Sequence, residues 1–382
     1  MFRKMPFILL AMIFAVLLLD PMLPLTIKQG IYSTSLSIKS VIILLLPFII
    51  FGLLFKAAVM LANNATKIIG FILLFVCASN LWSTFLSHYF GIWIYSFNMS
   101  MVSPEETSGL KALWSLNLPT LISNDKAMFS GIILGIILMK FYPKSSKRVA
   151  LSLERVINRI LKGIVCIIPL FVAGFVVKLQ YDGVMWTIVK DYTTIFGIIA
   201  CAQFGYIGLV YFILSKGRLK PFWVSIRNML PAAISGFSTM SSAASMPLTI
   251  VGAENNAQNK DLAASVVPAT VNIHLVGDCF AIPILAYAVL KSFGLAEPSF
   301  MQYMVFSGYF VLAKFSVAAI PGGGILVMLP ILEKYLGFHA DMMSLITALY
   351  ILFDPIITSA NVLGNGAFAK LMDKCLGHRV KT

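Results

Sequence analysis

Gly236-Phe-Ser-Thr-Met-Ser-Ser-Ala-Ala-Ser-Met-Pro-Leu-Thr249 is a small, hydroxyl-rich, proline-broken stretch inside a chain that is otherwise strongly apolar. Hydrophobic residues make up 59% of the 382 and charged residues 12%, with a mean hydropathy of +0.91. That composition leaves too little polar surface to face water and reads as a polytopic membrane protein. Nothing in hydrocarbon satisfies a freed N–H or C=O, so an irregular segment survives there only when buried in protein or lining a wet cavity. A second interruption, Ser316-Val-Ala-Ala-Ile-Pro-Gly-Gly-Gly324, follows later in the chain. Two interrupted apolar segments on either side of an intact one point to a transporter's binding site at mid-membrane.

The remaining spans frame these two breaks. Apolar runs are expected at Met5–Leu19, Val41–Leu61, Ile68–Phe97, Met128–Tyr142, Gly163–Val177, Thr193–Leu214, Ala263–Leu290 and Ser344–Leu371, each near the length that crosses about 30 Å of hydrocarbon. Arg3 and Lys4 precede the first run, which resembles a signal peptide but lacks a small-x-small cleavage site and reads as an uncleaved helix. The net charge of +14 is distributed by topology and implies no nucleic acid. Lys140, Lys144, Lys147, Arg148, Arg155, Arg159 and Lys162 form one basic block, and Lys216, Arg218, Lys220 and Arg227 a second. The loop from Asn98 to Lys126 carries Glu105 and Glu106 instead. Positive-inside counting puts both basic blocks, both termini and the first break on the cytoplasmic side, and the second break outside. The result is an all-α protein with about eight transmembrane helices plus two re-entrant hairpins of opposite orientation, an inverted-repeat design.

The last span has a pattern of its own. Asp354, Thr358, Asn361 and Asn365 fall at i, i+4, i+7 and i+11, one polar stripe on an apolar helix. A carboxylate at membrane depth costs roughly 2.5–3.5 kcal/mol on insertion scales and ordinarily faces a partner or cavity. The bland reading is that Asp354 caps a helix beginning at Pro355.

Four segments resemble the dicarboxylate/amino acid:cation symporters, the family that includes the glutamate transporters. Ser241–Thr249 is similar to the family's serine-rich first hairpin, and Ala319-Ile-Pro-Gly-Gly-Gly324 to the tip of its second. Pro268-Ala-Thr-Val-Asn272 is similar to the approach to the family's Asn-Met-Asp-Gly-Thr break, and Asn361-Val-Leu-Gly-Asn365 to its Asn-Val-Thr-Gly-Asp. Order and spacing agree from about Lys162 onward, and more loosely before it, at Leu118–Ile122 and Phe129–Leu138. The resemblance implies a homotrimeric elevator with no cofactor, working among membrane lipid in an inner membrane. Residues 1–160 would be mainly scaffold and trimerisation helices, the third span joining the transport domain. Residues 161–228 would add two spans, and residues 229–382 the transport core. It also implies that Asp354 receives a substrate's amino group and that Asn361 contacts its carboxylate. Ser241, Ser242, Pro321, Gly322, Gly323, Ile357 and Thr358 would line the same site.

The departures from the family redirect the reading. Where dicarboxylate carriers place an arginine this chain has Ile357, and the arginine that some relatives supply from the first hairpin is Met240. A buried side-chain carboxylate would lack a cation, so a neutral amino acid fits better than an acidic one. His274 and Asn365 stand where the family supplies aspartates to sodium, and Lys314 falls near another sodium position; Asn272 is retained. Two replacements follow. His274 and Asp278, one turn apart, would exchange a proton, or Lys314 would be a fixed cation in an exchanger or uncoupled carrier. The structural alternatives are a histidine paired with Asp278 that never titrates, and a Lys314 that snorkels to the outer interface. Ser79 and Asn80 join a cation site or act as interhelical glue.

Serines with a histidine and an aspartate also raise an intramembrane hydrolase. No G-x-S-x-G or H-E-x-x-H occurs, and Leu275 replaces the first glycine of G-x-G-D. A channel fits two opposed breaks less well than alternating access. The five cysteines have no C-x-x-C spacing and read as packing.

Overall fold

A computed structural model describes residues 5–63, 67–97, 109–119, 121–183, 185–317 and 322–376. Every regular element among them is helical. In order these are α1 (Met5–Leu19), α2 (Leu25–Asn63), α3 (Lys67–Tyr95), α4 (Asn124–Phe141), α5 (Pro143–Tyr181), α6 (Met185–Leu214) and α7 (Leu219–Thr239). Then follow α8 (Ser242–Asn256), α9 (Lys260–Thr270), α10 (Val276–Ser292), α11 (Phe300–Ala313), α12 (Gly323–Leu336) and α13 (Ala340–Leu376). Five of them, α2, α3, α5, α6 and α13, are long and apolar enough to cross a membrane, while α1, α4 and α10 have 15, 18 and 17 residues. Glu105, Glu106, Pro321 and the outermost terminal cations lie outside the described residues.

Several of the expected boundaries move, α6 beginning at Met185 instead of Thr193. The span expected from Val41 begins at Leu25, and the span expected from Gly163 begins at Pro143, the basic block from Lys144 to Lys162 forming the first half of α5. Helices α2 and α5 each have 39 residues, about 58 Å at 1.5 Å per residue, well beyond the membrane's thickness. The extra turns are polar for a reason. On α2, the Ser33 and Ser40 hydroxyls accept from the Leu113 N–H at 2.7 Å and the Leu118 N–H at 3.1 Å, holding the extended 109–119 segment along the helix. On α5, an ion pair from Glu154 to Lys56 ties the basic half back to α2. Gly174 lets α5 approach α2 so closely that a Cβ there would collide with the Ile31 carbonyl and Ser35. Helices α2, α4 and α5 pack together on one side.

The other group is centred on α10, whose residues Val276 to Leu290 are all buried. Around it pack α3, α6 and α13, with α7–α8 and α11–α12 as two helical pairs. The first pair turns at Met240, which adopts a left-handed conformation (φ 50°), and Ser241 caps α8 by accepting the Ala244 N–H at 3.2 Å. The stretch expected to be broken by proline is therefore helical through Pro247, with only Met240 and Ser241 outside the helices. Its hydroxyls zip the two arms: Ser245 donates to Ser235 at 3.0 Å, and Thr239 lies 3.4 Å from Ser245. The polar link after α8 is caught by Asp373 of α13, which accepts the Gln258 and Asn259 N–H groups at 2.8 and 2.9 Å.

The span from Ala263 to Leu290, intact by hydropathy but matched after Asn272 to the family's break, opens between Val271 and Leu275. Asn80 of α3 grips that opening, donating to the Ile273 carbonyl at 2.7 Å and accepting the Leu275 N–H at 3.3 Å. This is the glue reading of Asn80, with backbone groups as its partners. Replacing Asn80 with alanine orphans both groups and is expected to cost about 1–3 kcal/mol for each one left unsatisfied. Thermal unfolding of the purified variant measures that loss, and an unchanged Tm would show that the clamp is dispensable.

Candidate functional site

The polar stripe on α13 is the spine of a buried network. Helix α13 runs without interruption through Asp354 and Pro355, so the capping alternative for Asp354 does not hold. Pro355 has no N–H, which frees the carbonyl one turn back. Asp354 is 3% exposed and accepts two hydrogen bonds, from the Gly322 N–H at 2.8 Å and the Thr358 hydroxyl at 2.9 Å. Gly322 is the left-handed residue (φ 71°) opening α12, so the glycine-rich tip of the second pair is what presents its backbone to this carboxylate. Among the described residues no cationic side chain pairs with Asp354. A carboxylate has room for about four hydrogen bonds and, among the described residues, uses two here.

One turn further on, Asn361 joins α13 to the start of α10. Its Oδ1 accepts the Gly277 N–H at 2.8 Å, and its Nδ2 donates to Asp278 Oδ1 at 3.1 Å. Gly277 is required there, since a Cβ would meet the Ile357 carbonyl at 2.5 Å. Asn365 donates to the Asn361 carbonyl at 3.0 Å and accepts from Thr270 at 3.3 Å, tying in the end of α9.

Asp278 carries the densest set of contacts. Lys314 Nζ donates to its Oδ2 at 2.9 Å, Tyr350 donates to Oδ1 at 2.9 Å, and Asn361 supplies the third bond. Lys314 is 0% exposed, and its ammonium also sits 4.4 Å from the centroid of the Phe310 ring. The snorkelling alternative for Lys314 is thereby excluded. Gly324, in the first turn of α12, is where the returning arm presses on this cluster, a Cβ there falling 2.5 Å from Asp278 Oδ2. Gly324→Ala is expected to displace the arm and lower stability by about 1–3 kcal/mol, read as a drop in Tm.

His274 does not take part. The expected pairing with Asp278 is corrected by the break: His274 lies in the opened segment, ahead of α10, and its Nε2 is 2.9 Å from the Ser79 hydroxyl of α3. Its Nδ1 is buried without a hydrogen-bond partner of normal geometry, although the Asn365 side chain lies beside it. The ring lines a crevice of about 200 Å³ between α3, α6, α10 and α13, with Phe75, Trp82 and Phe368 as its apolar walls.

The other sequence candidates fall as follows. Ser241 is the cap of α8, Ser242 is buried beside it, and Gly323 is buried at the start of α12. Ile357 and Met240 are both buried in the apolar core, and Asn272 is exposed at the break, outside the network. Sequence reasoning missed Tyr350 and Phe310. Tyr350 stands four residues before Asp354, so it extends the same stripe by one turn. Among the described residues, no three His, Cys, Asp or Glu side chains gather as a metal site would require.

Ionisable side chains buried where a broken helix meets two helical pairs, in a chain with five helices apolar enough to cross a membrane, are what a membrane transporter's site calls for. The model of the sodium:dicarboxylate symporter family matches residues 5–375, and the chain belongs to that family. It is 29% identical over 239 residues to excitatory amino acid transporter 1 of Bos taurus, covering 60% of this chain and 43% of that protein. It is 27% identical over 265 residues to excitatory amino acid transporter 1 of Ambystoma tigrinum (67% and 47%), and 30% identical over 165 residues to an excitatory amino acid transporter of Onchocerca volvulus (43% and 32%). The matched stretch is thus less than half the length of each of these relatives.

Proposed function

We propose that the chain is a secondary transporter that moves a neutral amino acid, or a closely related small carboxylate, across the membrane by an elevator motion. The single observation that carries this reading is Asp354, a buried carboxylate that has, among the described residues, two neutral donors and no cation. An α-ammonium group is the ligand that completes it, since a buried charge is tolerated when paired and hydrogen-bonded. The substrate's carboxylate is met by the Asn361 N–H that Asp278 does not use and by the serine-capped N-terminus of α8, with its outward-pointing N–H groups. Ile357 and Met240 supply apolar wall where an acidic side chain would need an arginine. Lys314 is already committed to Asp278 and is no substitute. This favours a neutral side chain over the dicarboxylates of the family's name.

In this reading residues 229–382, with the third span, form the moving unit, and α2, α4 and α5 form the scaffold of a homotrimer in an inner membrane, both termini cytoplasmic. His274 and Asp278 make no direct hydrogen bond, so a proton relay between them would have to pass through Asn365 and Asn361. The test is ligand-induced stabilisation of the purified protein by a panel of amino acids. Neutral L-amino acids are expected to raise Tm, and their N-acetyl derivatives, which lack the ammonium, are not. Equal stabilisation by glutamate or aspartate would overturn the substrate class.

A further inference from the structure

We infer that the cation on which this core closes is part of the chain: the Lys314 ammonium occupies a site of monovalent-cation character built by Asp278, Tyr350, Asn361 and the Phe310 ring. Four observations converge on this. The Asp278 carboxylate is 1% exposed as a side chain and has three donors, only one of them charged. The ammonium on it is fully buried, 2.9 Å from Oδ2 and 4.4 Å from an aromatic centroid, an arrangement that also suits a free alkylammonium ion. The three elements so joined are separate: Lys314 closes the α11 arm, Asp278 opens α10, and Tyr350 and Asn361 belong to α13. Finally, Gly324 of the returning arm lies against the same carboxylate, so both arms of the second pair register on one ion pair.

The consequence is specific. A carrier that must collect an ion from solution to hold this arm down gains stability when that ion is supplied. Here the ion arrives with the polypeptide, so the arm is held in any salt. The site itself does not depend on what the protein transports, and its test uses no amino acid, so its failure is separable from failure of the substrate reading.

The experiment is thermal unfolding of the purified, substrate-free protein in choline, sodium, potassium and methylammonium chlorides at constant ionic strength. The wild-type Tm is expected to be the same in all four. Lys314→Ala, which empties the ammonium's place, is expected to gain on the order of 5 °C, saturably, from methylammonium and not from choline. Lys314→Ala/Asp278→Asn, which has no carboxylate to bind, is expected to lose that gain. A folded Lys314→Ala variant with no response to methylammonium would overturn the assignment, as would a response that survives in the double variant. If Lys314→Ala does not fold, the wild type decides alone: a saturable gain from sodium or potassium rejects a resident cation, and equal Tm values in all salts uphold it.

Discussion

Asp354→Asn is expected to abolish amino-acid binding and leave the fold intact. The substitution keeps the shape of the side chain and an oxygen to accept from Gly322 or Thr358, but removes the charge that an ammonium group would meet. Leaving one member of a buried pair without its partner costs about 3–5 kcal/mol, so affinity is expected to fall by at least on the order of 100-fold. The substrate-free protein responds in the opposite sense. In the wild type the carboxylate is buried with no cation among the described residues, and neutralising it removes a desolvation cost, so Tm without ligand is expected to stay level or rise. The two readouts separate the explanations. Lost binding with an undiminished Tm assigns Asp354 to the ligand, lost binding with a lowered Tm makes it a structural residue, and unchanged affinity removes it from the site.

Lys314→Met has the second large effect, this time on stability. It strands Asp278 in the interior with only the Tyr350 hydroxyl and the Asn361 amide for support, and is expected to cost about 3–5 kcal/mol. Adding Asp278→Asn, which still accepts from Tyr350, is expected to recover most of that loss, because a neutral pair of similar volume is often as stable as the ion pair it replaces. The non-additivity of the two substitutions, measured from Tm in a double-mutant cycle, reads the coupling directly. Additive losses would mean that the two side chains act independently in the folded protein.

Much of this site was legible in the sequence, and what was not had definite causes. The spacing of Asp354, Thr358, Asn361 and Asn365 announced one face of a helix, and all four side chains are buried there, Asp354 with Thr358 in one hydrogen-bonded group and Asn361 with Asn365 in a second. Tyr350 belongs to the same face, but a tyrosine in an apolar run is indistinguishable from packing until its hydroxyl finds Asp278. The error over His274 is one of phase. A four-residue spacing brings two side chains together only when both lie on one helix, and α10 begins at Val276, after the histidine. The true partner of Asp278 comes from a different element, 36 positions away in sequence, where no periodicity points to it.

Prolines misled for a related reason. Pro247, Pro268, Pro283, Pro330 and Pro355 all sit inside helices, because neighbouring helices and hydroxyl side chains re-satisfy the backbone groups that a proline frees. The glycine-rich tip was the better marker of a break: Gly322 needs its positive φ to aim an N–H at Asp354. The ends of α2 and α5 went unread because hydropathy registers only the lipid-facing stretch. A helix that continues beyond it as a serine-lined or basic amphipathic surface carries no such signal.

A core that carries a neutral amino acid on Asp354, with the Lys314 ammonium already in place as its cation, is expected to need no sodium. Counterflow tests it most directly: proteoliposomes preloaded with unlabelled amino acid take up labelled neutral or acidic amino acid, with sodium and proton gradients imposed separately or absent. A neutral amino acid is expected to accumulate in sodium-free choline medium, driven by the preload, and to fail to accumulate in Asp354→Asn. Uptake of glutamate or aspartate that requires an inward sodium gradient would contradict it.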